Sequence, residues 1–499
     1  MSISVRIHNI KGIDDFAFQI PSKKGLYALT GENGTGKSTI ISCAACSFFN
    51  VTLEDYFGKP RENSEIDFKY GPHHRTIKSE NGEWLRPEGN LNITGFFEGS
   101  IVFGNRFKDV DYSLLKTFSS IKKSALQKAS PFVIENLGEI LRNDKDYYSN
   151  LYILANKKLL KDFHLKRPIF FIEKNNIMIS QLNMSTGENL LLTILYSIER
   201  RIIKRVYGES PTFIYLDEIE LALHSSSLRR LISFFEKISD ENNFMILFST
   251  HSIDILRQLS PSNIYYLQLF HNGSLGMINP CYPAYAARSL EASIYGFDFL
   301  FLVEDVLAKQ IVERILREKR LLSNKRVLVQ PIGGWHQVLR YAYDIINTHM
   351  VSPDTKIRVI LDRDIKQYVP HFIKKERIGF ETKPAYLPIK SLEKYLLEKL
   401  VNEVDKELFK ELNDYVFLSK SLDLVIKEYL KSIKTQPPKD SDSISTGKSL
   451  YGVISSELKR SGRTENDLIE CVVNYLFVSK DNKEINELCE FLQSELTEI

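Results

Sequence analysis

Apolar and polar positions change their period several times along the chain, and each change predicts a different element. Residues 2–7 and 16–20 alternate loosely between apolar and polar side chains, which predicts two early antiparallel strands. An apolar run at residues 26–29 predicts a buried strand, and residues 40–45 predict a helix. A glycine-rich stretch separates these two runs, so we expect the order strand, loop, helix.

The next part of the chain is predicted to contain polar connections and then helices. Residues 52–90 are polar and carry turn signals at Gly58, Gly71 and Gly82. Residues 110–165 contain one glycine and follow a helical period, so we expect a helical insert that serves as an arm or a dimerisation element. This insert is far too short to form a long coiled coil.

Two later apolar runs have the composition of buried strands, and both end in polar residues. The run at residues 213–216 is followed by Asp217 and Glu218, and the run at residues 244–248 leads to His251. Strands that end in this way suit a parallel sheet whose ligand lies at the carboxyl edge.

A second region of alternating strands and helices begins near residue 297. Its apolar strand-like runs are followed by helical patterns and lie at residues 299–303, 326–329 and 357–361. The last hundred residues are helical by pattern, with one break at 435–447 that contains two prolines. We therefore expect an N-terminal domain at 1–285, a second α/β domain at 296–400 and a helical region at 401–499.

Composition and charge fit an ordinary soluble protein. The chain has 499 residues, of which 43% are hydrophobic and 26% charged, and no run of eighteen apolar residues occurs. The N-terminus lacks the apolar core of a signal peptide, so we expect a cytoplasmic protein with no membrane segment. The net charge of +3 is too small to indicate nucleic-acid binding by itself. Basic clusters at 157–161, 317–320 and 374–377 are either solvated helix faces or phosphate-binding patches.

The cysteines do not indicate a disulfide framework. There are five, an odd number, and they are widely spaced apart from Cys43 and Cys46. This pair lies on the predicted helix at residues 40–45 and just beyond it, and no second pair follows. Packing thiols are therefore the favoured interpretation, with zinc binding or redox chemistry as the alternative.

The glycine-rich stretch from Gly31 to Thr39 matches the pattern G-x-x-x-x-G-K-[ST] in its expected context between a strand and a helix. Such a loop points successive backbone N–H groups at phosphate oxygens. Lys37 is predicted to reach the β- and γ-phosphates of ATP, and Ser38 to offer its hydroxyl to Mg²⁺. The predicted nucleotide contacts in this loop are Asn33, Gly34, Gly36, Lys37, Ser38 and Thr39.

The polar strand ends supply the other groups that ATP hydrolysis requires. Asp217 would hold Mg²⁺ through water, and Glu218 would orient or deprotonate the attacking water. His251 would contact the γ-phosphate. Each residue taken alone is also an ordinary polar strand end or a structural histidine.

Taken together and in this order, these motifs resemble the ABC-type ATPase heads of the SMC and RecF group, over residues 1 to about 270. In that resemblance the signature motif is the segment Ser185-Thr186-Gly187-Glu188, which opens a predicted helix. The resemblance implies that Ser185, Gly187 and Glu188 serve the nucleotide of the other subunit in a head-to-head homodimer around ATP. The family's Q-loop glutamine has no counterpart in residues 98–106.

A second set of acids follows the strands of the second domain. Asp362 and Asp364 lie two residues apart, so an extended chain projects both to one side. Glu304, at a neighbouring strand end, would join them in an oxygen-ligand set that suits Mg²⁺ or Mn²⁺. The alternative is three solvated strand ends in an unrelated α/β domain.

The order Glu304, Gly333-Gly334 and Asp362-x-Asp364 resembles a TOPRIM domain. An ABC-type head followed by TOPRIM resembles the OLD-family endonucleases, over about residues 1–400. Ala308 stands where that family has another acid, so either Asp305 substitutes as a metal ligand or the site holds fewer metals.

Two further residues enter through this resemblance. Glu393 lies in what resembles the family's later acidic motif, although a surface glutamate in a first helical turn is an equal alternative. Lys448 corresponds to the lysine that the family implies near the C-terminal end of its catalytic set, and an ordinary exposed lysine is the alternative.

The predicted fold is therefore α/β: an ABC-type P-loop ATPase domain with a helical insert, then a Rossmann-like TOPRIM domain and a helical C-terminal region. The resemblance implies an ATP- and metal-dependent DNA endonuclease or nickase that acts in bacterial anti-phage defence, with DNA and a defence-system protein as partners and a dimer or higher oligomer as its assembly. The alternative is an ATP-gated DNA-binding or scaffold protein whose TOPRIM-like domain is inactive.

Overall fold

The computed structural model of the chain describes residues 2–48, 53–99, 118, 121–163, 165, 167–203, 211–290, 296–379, 383–435, 445–478 and 483–497. The chain divides into two compact units, Met1–Ser293 and Ile294–Ile499. The interval between the predicted domains, residues 285–296, contains this point of division.

The described strands of the N-terminal unit belong to three sheets. In chain order they are β1 (Ser2–Ile10), β2 (Ile13–Pro21), β3 (Gly25–Gly31), β4 (Glu65–Tyr70), β5 (His73–Glu80), β6 (Glu83–Trp84), β7 (Glu88–Gly89), β8 (Gly95–Glu98), β9 (Gln127–Lys128), β10 (Leu151–Leu154), β11 (Ile169–Lys174), β12 (Ile177–Ser180), β13 (Thr212–Leu216), β14 (Phe244–Ser249), β15 (Ile264–Leu269) and β16 (Leu275–Ile278). The helices are α1 (Lys37–Ala45), α2 (Leu53–Phe57), α3 (Pro131–Arg142), α4 (Lys157–Asp162), α5 (Thr186–Ile203), α6 (Ser225–Asn242), α7 (Ile253–Leu256) and α8 (Pro283–Leu290).

The central sheet has the strand order β16-β15-β3-β14-β13-β8, and all its pairings except β15 with β16 are parallel. Strand β14 is buried at every position, and it is apolar up to its last residue because both of its faces are covered. The parallel pairing brings the carboxyl ends of β3, β13, β14 and β8 to one edge, as the sequence predicts. The chemistry of this unit is expected at that edge.

The early antiparallel strands are also found, and they extend into the segment predicted to be polar connections. Strands β1 and β2 pair antiparallel, and β1 then pairs with β4 and β4 with β5. The turn signals at Gly71 and Gly82 do mark turns, between β4 and β5 and between β5 and β6. Strands β4 and β5 were missed because most of their residues are charged or polar, although their few apolar positions, such as Ile66, Phe68 and Ile77, are fully buried.

The helical insert predicted at residues 110–165 is wrong in part. Residues 110–117 lie outside the described residues, and the rest contains α3 and α4 but also β9 and β10. Strand β10 pairs antiparallel with β11, and its residues Leu151, Ile153 and Leu154 are buried. A strand that is apolar on both faces shows no alternation, so the sequence pattern does not distinguish it from a helix.

The C-terminal unit contains a parallel sheet of order β18-β17-β19-β20. Its strands are β17 (Phe299–Val303), β18 (Val327–Pro331), β19 (Lys356–Leu361) and β20 (Ala385–Tyr386). Its helices are α9 (Val306–Glu318), α10 (Trp335–Thr348), α11 (Val369–Glu376), α12 (Leu392–Leu397), α13 (Lys406–Tyr415), α14 (Leu422–Thr435), α15 (Lys448–Arg460), α16 (Glu465–Val478) and α17 (Lys483–Thr497).

The core of this unit lies on both faces of its sheet. On one face Leu300 and Leu302 of β17 pack with Leu339 of α10 and Phe372 of α11 in one buried cluster. The alternate positions of β17 are also buried, so this strand is covered on both sides. An ion pair between Arg358 of β19 and Glu495 of α17, both nearly buried, connects the last helix to the sheet. None of the helices in the described ranges combines the length and the hydropathy that a bilayer crossing requires.

Candidate functional site

The phosphate-loop motif forms the connection from β3 to α1. Gly34 and Gly36 have φ values of 81° and 86°, a left-handed conformation that favours glycine. Gly36 is the N-cap residue of α1, and no side chain caps this helix. The first N–H groups of α1 are therefore available to an anion, and the helix dipole favours one.

Lys37 is almost fully buried in this loop, with 6% of its surface exposed. Its Nζ donates hydrogen bonds to the carbonyl oxygens of Gly31 at 3.0 Å and Glu32 at 2.9 Å. Burial lowers the pKa of Lys37 to about 8, and nearby carboxylates partly oppose this shift. An ammonium group has three protons, so one remains for a phosphate oxygen.

Asp217 lies at the end of β13, where two hydroxyl groups meet one of its oxygens. Ser38 Oγ donates to Asp217 Oδ1 at 3.2 Å, and Ser249 Oγ donates to the same atom. Burial raises the pKa of Asp217, although both hydroxyl groups act in the opposite direction. A hydroxyl group beside a carboxylate is a donor set that suits Mg²⁺, so Ser38 and Asp217 fit the predicted role. Ser249 was missed because nothing in the sequence connects it to Asp217.

Glu218 adopts an unusual backbone conformation next to Asp217. Its φ is 51°, in the left-handed region that residues other than glycine rarely occupy. The N–H of Glu218 donates to Ser249 Oγ at 2.8 Å, which holds the backbone in place. Burial lowers the pKa values of Lys37 and His251, and the negative charge of Glu218 partly opposes both shifts. The Glu218 carboxylate therefore lies close to both side chains. Strained residues of this kind cluster at functional sites.

His251 follows β14, and its backbone N–H is bound by Glu220, which the sequence analysis did not identify as a site residue. The N–H of His251 donates to the carboxylate of Glu220, which lies on the turn after Asp217. Burial and the charge of Lys37 lower the pKa of His251, so the imidazole is mainly neutral at pH 7. Glu220 therefore connects the strand end at Asp217 with the strand end at His251.

The predicted signature residues lie at the start of α5. Ser185 is exposed, whereas Glu188 has only 7% of its surface exposed. The carboxylate of Glu188 accepts hydrogen bonds from the N–H and Oγ of Ser185, both at 2.9 Å, and the N–H of Glu188 donates to Ser185 Oγ at 3.3 Å. This reciprocal arrangement is a capping box. The side chain of Glu188 is thus directed at Ser185, not outward as its predicted nucleotide contact would require.

Gly187 packs against the loop that follows Glu218. A Cβ atom at Gly187 would lie 2.7 Å from the carbonyl oxygen of Ala222 and 3.2 Å from Leu223 Cδ2. The start of α5 is therefore in direct backbone contact with the loop leaving the proposed catalytic carboxylate.

The region expected to hold the Q-loop is described only in part. Glu98 ends β8 and is buried, and its carbonyl oxygen accepts a hydrogen bond from the N–H of Asp217 at 3.0 Å. Residues 100–106 lie outside the described residues.

In the C-terminal unit, the predicted acids meet at the carboxyl edge of the sheet. Glu304 follows β17, and its Oε1 accepts a hydrogen bond from the N–H of Asp362 at 2.8 Å. Burial and neighbouring carboxylates raise the pKa of Glu304 to about 7 and that of Asp362 to about 9. The carboxylates that act on Asp362 belong to Glu304, Asp305, Asp364 and Glu393. All five predicted ligands are therefore electrostatically coupled.

Two of these acidic side chains nevertheless interact with groups outside the acidic cluster. Asp305 caps α9 by accepting a hydrogen bond from the N–H of Ala308 at 2.8 Å, and Asp364 forms an ion pair with Lys394. Across the part of the chain that the structure describes, no three histidine, cysteine, aspartate or glutamate side chains are arranged to hold a metal ion. The oxygen donors suit Mg²⁺ or Mn²⁺ in type, and their coordination of a metal stays a prediction.

Lys448 lies near this acidic edge, at the start of α15. Gly447 is the N-cap residue of α15, and a Cβ atom there would lie 2.1 Å from the carbonyl oxygen of Glu393. One turn further, burial and the charges of Glu465 and Glu393 raise the pKa of Tyr451. Lys448 itself is exposed, and its catalytic role stays a prediction.

Comparisons with known proteins agree with the geometry of the N-terminal unit. Residues 100–257 match the family model described as "AAA domain, putative AbiEii toxin, Type IV TA system". The chain is also similar to the "Retron Ec83 probable ATPase" of Escherichia coli, with 25% identity over 181 residues that cover 32% of this chain and 33% of the relative. The N-terminal unit is a P-loop ATPase domain. The alignment spans about a third of the curated relative's length, and the family match does not extend into the C-terminal unit.

Similar solved structures include SMC heads. The SMC head bound to the C-winged helix domain of ScpA shares 14% identity, with 55% of this chain and 96% of that chain covered and a TM-score of 0.35. The SMC head domain from Thermotoga maritima shares 14% identity, with 56% of this chain and 99% of that chain covered and a TM-score of 0.31. The Pyrococcus furiosus SMC head with an extended coiled coil, bound to the C-terminal domain of ScpA, shares 12% identity. In that comparison 64% of this chain and 100% of that chain are covered, with a TM-score of 0.35.

The contact between Gly187 and Ala222 generates a prediction about ATP hydrolysis. In Gly187→Ala the added methyl group meets a backbone oxygen, so the loop after Glu218 must shift. We expect the ATP hydrolysis rate, measured by phosphate release, to fall at least about tenfold. The matched control is Gly452→Ala in α15, where an added Cβ has no neighbour within 4 Å, and wild-type hydrolysis is expected. Normal hydrolysis by Gly187→Ala would show that this contact does not position the loop.

Proposed function

We propose that the chain is an ATP- and metal-dependent DNA endonuclease or nickase of the OLD type that acts in bacterial anti-phage defence. In this proposal a head-to-head dimer of the ATPase domains binds and hydrolyses ATP, and the C-terminal unit cuts DNA. The observation that carries the nuclease part is the meeting of Glu304 and Asp362 at the ends of β17 and β19, where the Glu304 carboxylate accepts a hydrogen bond of 2.8 Å from the N–H of Asp362. A defence role is supported by the name of the matched family, which includes a toxin, and by the name of the relative, which includes a retron.

In this proposal each residue around the phosphate loop has one role in ATP hydrolysis. Lys37 would hold the β- and γ-phosphates against the N-terminus of α1, and Ser38 and Asp217 would hold Mg²⁺. Mg²⁺, when bound, neutralises charge that develops on the phosphate oxygens. Glu218 takes the proton of the attacking water, and the neutral His251 contacts the γ-phosphate.

The first test separates ATP binding from hydrolysis. Lys37→Ala removes a buried ammonium group, so ATP affinity should fall at least about tenfold. Glu218→Gln preserves size and polarity but cannot accept the proton, so ATP affinity should persist while the hydrolysis rate falls about 100-fold or more. Fluorescent-nucleotide binding and phosphate release measure the two effects, with Glu135→Gln on the exposed face of α3 as the matched control. If Glu218→Gln hydrolyses ATP at the wild-type rate, a group other than Glu218 accepts the proton of the attacking water.

The proposed dimer is supported by the start of α5. Ser185 and Thr186 are exposed there, at the N-terminus of a helix of 18 residues whose dipole favours an anion. The capping box fixes Ser185 at this surface, with its hydroxyl donating to the carboxylate of Glu188 and accepting from the N–H of Glu188. The γ-phosphate of ATP held by a second copy of the chain is an anion of the required kind.

Mixing two inactive variants tests the dimer directly. Lys37→Ala disables the phosphate loop, and Ser185→Arg disables the signature surface, so each variant alone should be inactive in ATP hydrolysis. A mixed dimer contains one composite site with both parts intact, so combining the two should restore up to about a quarter of the wild-type rate. No recovery after subunit exchange, or normal hydrolysis by a strictly monomeric protein, would contradict the dimer.

The nuclease proposal follows from charge. Several carboxylates brought together in a partly buried place repel one another, and a bound cation relieves that repulsion. Glu304, Asp362 and Asp364 would hold Mg²⁺ or Mn²⁺, with Asp305 and Glu393 as further ligands, and Lys448 would face the DNA phosphate. The metal, when bound, supplies an activated water for phosphodiester hydrolysis.

Substitution of these acids should separate DNA cleavage from ATP hydrolysis. Glu304→Ala and Asp362→Ala should each abolish cleavage of supercoiled and linear DNA, as should EDTA, because a ligand or the metal is lost. ATP hydrolysis by both variants should survive. Asp344→Asn, at an exposed position of α10, is the control and should cut normally. Undiminished cutting by Asp362→Ala would place the nuclease site elsewhere.

Asp305 requires a special variant because it also caps α9. Serine is a good N-cap residue but a poor ligand for a hard cation, so Asp305→Ser keeps the cap and removes the carboxylate. If Asp305 replaces the acid missing at Ala308, Asp305→Ser should cut DNA as poorly as Glu304→Ala. If it cuts normally, Asp305 is a helix cap only.

A second candidate function is favoured by the arrangement of the same acids. The ion pair of Asp364 with Lys394 and the alanine at position 308 fit an ATP-gated DNA-binding or scaffold protein with an inactive C-terminal unit. Such a protein would bind DNA in a salt-dependent way and leave it intact with Mg²⁺ or Mn²⁺, with or without ATP. Cleavage by the wild type and not by Asp362→Ala excludes this candidate.

A further inference from the structure

A buried tyrosine contacts the capping box at the start of α5. Tyr148 lies in the connection between α3 and β10, and none of its surface is exposed. Its hydroxyl donates a hydrogen bond of 2.7 Å to Oε1 of Glu188. The other carboxylate oxygen of Glu188, Oε2, accepts from the N–H and Oγ of Ser185. Tyr148, Glu188 and Ser185 thus form one continuous chain of hydrogen bonds from the interior to the exposed start of the helix.

The orientation of Glu188 depends on this tyrosine. Beside the Tyr148 hydroxyl, the cation nearest to Oε1 is Lys174, whose Nζ is 3.9 Å away on a half-exposed side chain. At that distance the lysine contributes charge but not a hydrogen bond of defined direction. The hydrogen bond from the Tyr148 hydroxyl is short and buried, so together with the two hydrogen bonds from Ser185 it fixes the rotation of the carboxylate.

We propose that Tyr148 is a positioning residue for ATP hydrolysis, which fixes Glu188 and through it Ser185 at the exposed start of α5, the surface that would serve the nucleotide bound to a second copy of the chain. This inference rests on the proposed head-to-head dimer. Its consequence is that residues 143–150, in the segment expected to be an arm, control the partner's ATP site and not the chain's own.

Tyr148→Phe isolates the hydroxyl from the packing of the ring. The variant should bind ATP with wild-type affinity, because its phosphate loop is unchanged, and its kcat should fall about tenfold, because Glu188 loses its buried hydrogen bond and holds Ser185 less firmly. Tyr147→Phe is the matched control: it removes the hydroxyl of the adjacent, exposed tyrosine and should leave both values unchanged. A wild-type kcat for Tyr148→Phe would overturn the proposal, and so would a loss of ATP affinity, which would indicate a defect in the variant's own site.

A mixing experiment distinguishes positioning in the partner from a general structural role. In a mixed dimer of Tyr148→Phe and Lys37→Ala, one composite site has an intact phosphate loop and an intact signature surface. Hydrolysis by this mixture should exceed the mean of the two variants measured separately. If Ser185→Arg mixed with Lys37→Ala recovers activity but Tyr148→Phe does not, the inference is wrong and the proposed dimer stands. If neither mixture recovers, the dimer itself is wrong.

Discussion

Both units of this chain bury ionisable groups at the carboxyl edge of a parallel sheet, and the balance of those charges governs the rest of the structure. When both faces of a parallel sheet are covered by other elements, polar side chains can converge only at the ends of its strands. Ionised groups taken out of water must be paired with opposite charge, hydrogen-bonded or neutralised. The composition of each edge therefore determines what it can bind.

The two edges solve this problem differently. In the ATPase domain, the buried ammonium of Lys37 lies among the carboxylates of Asp217, Glu218 and Glu220, so positive and negative groups are already mixed. Such an edge suits a ligand that carries both signs, as a nucleotide with a divalent cation does. In the C-terminal unit, carboxylates act on Asp362 from several elements, and burial with this repulsion raises its pKa to about 9. An edge of this second kind favours a cation, which is the physical basis of the nuclease proposal.

Sequence patterns reveal what lies along the chain, and here they predicted the parallel sheet of the first domain, the alternating strands and helices of the second, and the residues at the strand ends. They could not reveal contacts made between distant segments, such as Ser249 with Asp217 or Tyr148 with Glu188. The capping role of Asp305 was available in principle, because an aspartate before a helical apolar pattern is a typical N-cap signal. The strand at Leu151–Leu154 was mistaken for helix because burial on both faces removes the alternation by which strands are recognised.

The two contacts at the start of α5 differ in how much movement they permit. Gly187 meets the carbonyl oxygen of Ala222 backbone to backbone, so a shift of the helix must move the loop after Glu218 with it. Tyr148 acts through the carboxylate of Glu188, which can rotate while the backbone stays in place. The first contact therefore couples the signature surface rigidly to the chain's own catalytic loop, whereas the second sets only the direction of one hydroxyl group. A substitution that disturbs the Gly187 contact should alter both composite sites to which a subunit contributes. A substitution that removes the Tyr148 contact should alter only the site that holds the partner's nucleotide.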